Sequence, residues 1–227
     1  MGKIKHYHFI TASAAALALG ISAAATAPAY GSETASATIA LASSQVVSGQ
    51  TQYTYHLSLT NTSTDGSTVG TFWFAWIPGQ SYMADNPIIT SAPPSPASPT
   101  NWHVGLVVKV GVDVIPGLDE KGSSIQWVAG PGSSFDSTDA LAAGQTLSGF
   151  SFTTPDSPSS VFGDSVYFPG TPVLTSQVYH AAPFSDTFNG INGYQFITQV
   201  VPEPATFGLM AMGSAGLLLL GRKRKSA

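Results

Sequence analysis

Tyr53-Thr54-Tyr55-His56-Leu57-Ser58-Leu59 places four large apolar or aromatic side chains at every second position, with Thr54, His56 and Ser58 between them. Successive side chains of a strand point to opposite sheet faces, so this pattern predicts a β-strand with one face in a core. Val104, Leu106, Val108, Val110 and Val112 repeat the alternation. Further strands are expected at 37–42, 69–77, 124–129, 145–153, 173–180 and 194–200, each bounded by Gly, Pro, Asp or Ser. No amphipathic helical period precedes residue 201. About eight short strands with turn signals between them predict an all-β fold, an antiparallel β-sandwich, immunoglobulin-like in the broad sense, in preference to a barrel.

Working outward, residues 32–200 are expected to form one β-sandwich domain, of a length that can bury a core. Its only Lys or Arg residues are Lys109 and Lys121, against eleven acids, a formal charge of −9. Nucleic acid is thereby excluded as a partner, since phosphate binding needs a basic face. Cysteine is absent, which removes disulfides, thiolate nucleophiles and zinc-thiolate sites. Pro93, Pro94, Pro96 and Pro99 mark an irregular excursion from 78 to 101, expected to lie as a flap over one sheet face. A second Pro- and Ser-rich loop is expected at 155–160.

The two ends carry address rather than fold. Lys3 and Lys5 precede an apolar run from Phe9 to Ala25, and small residues at Ala27, Ala29 and Gly31 offer cleavage after Ala29 or after Gly31. Residues 1–31 are therefore expected to be a signal peptide. At 201–227 the order is Pro202-Glu203-Pro204, an apolar run over 207–221, and Arg222-Lys223-Arg224-Lys225. A fifteen-residue helix spans only about 22 Å, less than the hydrocarbon core of ~30 Å, so this expected transmembrane helix must thin the bilayer or borrow length from its flanks. The basic tail belongs on the cytoplasmic side, which puts the domain outside. Pro202, Glu203 and Pro204 followed by the apolar helix and basic cluster resemble the PEP-CTERM sorting signal of exported Gram-negative proteins, the exosortase substrates. That resemblance implies processing by an exosortase near the Pro-Glu-Pro, transient membrane anchoring, and display at the cell surface or release, commonly alongside exopolysaccharide and biofilm functions. The stretch Tyr53 to Thr62 is also similar to the opening strand of immunoglobulin-like repeats in bacterial surface proteins.

Catalytic patterns are sparse. Asn61, Ser63, Asp65 and Gly66 fit the first half of an EF-hand loop, but Phe72 stands where the bidentate acid is needed. A hairpin turned at Asp65-Gly66 is the expected structure there. Asp113, Asp119 and Glu120 are expected to be solvated loop acids rather than calcium ligands. His56, His103 and His180 lie in or beside strands without a paired acid, and no Gly-x-Ser-x-Gly elbow or His-Glu-x-x-His helix occurs. No enzyme activity, metal or cofactor is expected. Alternation over 72–76 sends Trp73 to one sheet face and Phe72, Phe74 and Trp76 to the other, so both faces are apolar: one is expected in the core and the other under the proline-rich loop, with an exposed aromatic platform as the alternative. Two functions follow: a structural or adhesive protein of the cell surface or biofilm matrix, or a carbohydrate-binding module in which exposed Trp73, Trp76 and Trp102 stack on an extracellular polysaccharide.

Overall fold

The computed structural model describes residues 33–93, 101–111, 121–132, 134–180 and 193–202. The signal segment, Glu203 and Pro204, the apolar run 207–221, the basic tail, Asp113, Asp119, Glu120 and most of the proline cluster lie outside the described residues.

The alternation around Tyr55 becomes the centre of a long hairpin, β1 (Ala35–Val47) and β2 (Gln50–Asn61). Its two-residue turn places Ser48 and Gly49 at φ 53° and 82°, the doubly left-handed form whose twist matches the paired strands. Tyr55, Leu57 and Leu59 are buried, as the period-two pattern predicts. Chain order then gives β3 (Thr71–Phe74), the small hairpin β4 (Trp76–Ile77) and β5 (Gln80–Ser81), β6 (Ile89–Ser91), β7 (Trp102–Val108), β8 (Ser124–Ala129) and β9 (Thr146–Thr154). After these come β10 (Thr175–Tyr179), β11 (Tyr194–Ile197) and β12 (Gln199–Val200). The helical pieces among the described residues are one 3-10 turn at Ser137–Asp139 and one α-turn at Pro158–Val161, the latter inside the expected Pro- and Ser-rich loop.

Two five-stranded sheets result, in the orders β12-β1-β2-β9-β6 and β11-β10-β3-β8-β7. Every described pairing between strands is antiparallel except β12 with β1. The sheets pack face to face through aromatic rings. Phe150 of the first meets Phe72 and Trp127 of the second at centroid distances of 5.6 and 5.3 Å, and Phe152 meets Phe74 at 5.3 Å. The mostly antiparallel all-β sandwich expected from sequence is the fold.

Three expectations are corrected. Asp65-Gly66 does not close a hairpin, because β2 pairs with β1 and β9 while β3 belongs to the opposite sheet. The loop instead carries the chain between layers. The single strand expected at 69–77 is interrupted at Ala75, whose φ of 58° shifts the side-chain phase by one residue. Trp76 consequently lies with Trp73 rather than with Phe72 and Phe74. The same happens in β7, where the register slips between Val104 and Leu106. Val104 packs on the inner core, whereas Leu106 and Val108 join the Trp73 side. Gly105 makes that slip feasible: a Cβ there would stand 2.6 Å from Gln126 Oε1 and from a Val128 methyl.

Candidate functional site

The tryptophans come first, since they were the expected glycan platform. All four are buried: Trp73 is 3% exposed, Trp76 0%, Trp102 6% and Trp127 0%. Trp73 and Trp76 stack on each other at 4.2 Å and 19°, in a small cluster with Val108 and Tyr179 on the outer side of the second sheet. Trp102 and Trp127 fill the space between the sheets, and their indole N–H groups donate to Asp139 O (3.2 Å) and Ser91 O (2.9 Å). An exposed stacking surface of Trp73, Trp76 and Trp102 therefore does not exist. The phase shifts at Ala75 and Gly105 bring Trp76, Leu106 and Val108 to the Trp73 side, where they are packed as a satellite core.

The first sheet presents outward rows of paired hydroxyls beside exposed apolar side chains such as Val46, Ile89 and Val200. Cross-strand pairs between β2 and β9 are Thr54–Thr153 at 2.9 Å, Ser58–Ser148 at 2.7 Å and Thr60–Thr146 at 2.8 Å. A groove of about 380 Å³ runs over this face, lined by Thr38, His56, Ser58, Ser148, Ser151 and Val201 among others. Its floor is lowered at Gly149, the extra residue of a bulge where the register slips opposite Leu57 and Ser58. His56 is the titratable side chain among the groove residues.

The remaining candidate residues serve structure. Buried Asn61 donates from Nδ2 to Ser67 O and Leu141 O, both at 2.8 Å, and its Oδ1 accepts from Ser63 N at 3.0 Å. Asp65 Oδ1 accepts from Ser67 N at 3.0 Å. These atoms pin the inter-sheet crossing rather than face a cation. His103 Nδ1 lies 2.8 Å from Gly130 O. Asp139 accepts from the backbone and side-chain amide of Asn101, and buried Asp156 accepts from Asp85 N at 3.0 Å. Among the described residues no group of three or more His, Asp or Glu side chains is placed to hold a metal.

One acid was not anticipated. Glu33 is 6% exposed, its Oε1 has no hydrogen-bond partner, and its Oε2 lies 3.8 Å from His180 Nδ1. Burial, with a smaller push from Asp65, raises its carboxyl to about 8 against a backbone hydrogen bond from His180. Because the folded value exceeds the unfolded one, its stabilising contribution is complete below about pH 4.5 and is lost as pH rises through about 8. Thermal midpoints of the parent should therefore fall between pH 5 and pH 8.5 by an amount equivalent to about 2–4 kcal/mol, and those of Glu33→Gln should stay nearly flat. A variant that falls as steeply as the parent would place the titration elsewhere.

The chain leaves the domain beside the groove. β12 lies parallel to β1 with Gln199 opposite Thr38 and Val200 opposite Ile39, and Val201 N donates to Ile39 O at 2.8 Å. Pro202 is the last described residue. No helix among the described residues is long and apolar enough to cross a membrane. A family model described as the PEP-CTERM protein-sorting motif matches residues 200–225. No curated protein matches the chain. Among solved structures, an inactive mutant of an exo beta-N-acetylglucosaminidase from Vibrio harveyi aligns with 74% of this chain at 12% identity and a TM-score of 0.35. The match covers 18% of that enzyme's chain, and a likeness this low carries no argument. The sorting motif supports an exported, C-terminally sorted protein and implies processing by an exosortase.

Proposed function

We propose that the domain is a non-catalytic structural or adhesive component of the Gram-negative cell surface, working with exopolysaccharide in a biofilm matrix. In this reading residues 1–31 are removed as a signal peptide, and 207–221 with Arg222–Lys225 holds the precursor in the membrane until exosortase acts. The observation that carries the reading is the burial of all four tryptophans. With all four tryptophans inside, the first sheet offers its rows of paired hydroxyls to the surroundings, and such rows suit many weak hydrogen bonds to a neutral hydroxylated polymer.

The test uses the processed protein recovered from host cells and the host's own matrix polysaccharide. Saturable co-sedimentation is expected, with tryptophan emission unchanged and binding lost in Ser148→Arg, which fills the groove. A blue shift of tryptophan emission together with unimpaired binding by Ser148→Arg would point instead to sugar stacking. Cleavage of the polysaccharide by the purified protein would overturn the non-catalytic assignment.

A further inference from the structure

The sorting motif begins inside the fold. Val200, the first residue of the matched segment, is paired with Ile39 in the first sheet. Just before it, Thr198 is fully buried where the chain crosses from β11 to β12, with its N–H donating to Leu174 O at 3.0 Å and its hydroxyl 2.9 Å from that of Ser176. After Thr198 the character changes. Gln199, Val200 and Val201 are all exposed, and what holds them is backbone pairing to one neighbour at the sheet edge. β1 does not depend on them, since β2 pairs with it along its whole length. An edge strand of two residues with little side-chain burial sits at the low end of local stability.

Cleavage and transfer enzymes need an extended substrate whose backbone is free, which is why nicking concentrates at unpaired chain. With β12 in place, the backbone just upstream of Pro202 is committed to β1. Only residues 202–206 then separate the last described sheet hydrogen bond from Phe207, at most about 17 Å if fully extended. Freeing 199–201 adds roughly 10 Å.

We propose that β12 is a latch on processing: exosortase acts on the form in which Gln199, Val200 and Val201 have left β1, with Thr198 as the fixed point of the opening. This rests on the reading of Pro202-Glu203-Pro204 as the processed motif. When reclosing is faster than cleavage, the processing rate follows the population of the open form.

The chain has no cysteine, so Thr38→Cys with Gln199→Cys creates a single disulfide across the β1–β12 pair. The experiment follows conversion of the full-length chain in its native host, with disulfide formation read by gel mobility. The oxidised clamp should slow processing by about tenfold or more, with reductant restoring it, and Val201→Pro, which deletes the bond to Ile39 O, should speed it severalfold. Processing of the oxidised clamp at the parent rate overturns the latch. Glu203→Ala is the separate control: if it is processed normally the motif reading itself fails, and if it stalls while the clamp does not, the latch alone fails.

Discussion

Phe150→Ala will lower the unfolding free energy by about 3–5 kcal/mol, seen as a drop in the urea midpoint at unchanged slope. Phe150 is fully buried on β9 and touches three aromatic rings edge-on: Phe72, Trp102 at 5.5 Å, and Trp127. All three belong to strands of the opposite sheet, β3, β7 and β8, so truncation removes the hub through which the layers interlock. The rings around it are too stiff to close over the space, which puts the loss at the cavity-forming end of the range. Set against a total stability of roughly 5–15 kcal/mol, such a loss leaves the variant marginal. Phe150→Leu should retain about half of the lost stability, because much of the buried volume is kept. A loss below about 1 kcal/mol for Phe150→Ala would mean that the sheets are held elsewhere.

Asn61 supports a sharper experiment because two roles for it predict opposite outcomes. As a loop clamp, its Nδ2 feeds two carbonyls and its Oδ1 receives one amide. Asn61→Ala should then cost about 2–4 kcal/mol, the sum of lost bonds and a buried Ser63 N–H left without its acceptor. Asn61→Asp should cost more still, since a carboxylate oxygen would replace the donor and face Ser67 O and Leu141 O in a buried setting. If residues 61–66 were a calcium loop, the aspartate would instead be tolerated and calcium would raise the melting temperature. Thermal denaturation of both variants with and without millimolar calcium decides between the two.

The relation between sequence and structure differs from element to element. Ser124–Ala129 is readable because Ile125, Trp127 and Val128 favour a strand between flanking Gly, Ser and Pro residues, and Tyr53–Leu59 because one face is buried and the other more exposed. β5 and β6 were not, since two or three residues in a proline-rich stretch give no period. The Asp65-Gly66 turn was found, but its local chemistry is the same whether the chain folds back on its neighbour or climbs to the other layer. That Trp76, Leu106 and Val108 share a face with Trp73 is illegible for a definable reason. A period-two reading assumes an uninterrupted pleat, and one left-handed alanine plus one glycine slip each inverted every side chain beyond them. The sorting tag was legible as a motif, whereas its docking on β1 joins residues far apart in sequence and leaves no local trace.

The parallel alignment of β12 with β1 also decides how the domain bears force. In the proposed adhesive role, a domain held by its C-terminal side and dragged by flow or by a neighbouring cell is loaded through β12. Because the strands run in the same direction, tension between the start of β1 and the end of β12 slides them lengthwise past each other and strains their hydrogen bonds together instead of opening them one at a time. Behind that short shear joint stands Thr198, buried and bonded to the second sheet, so load that overcomes the edge strand passes into both layers of the sandwich.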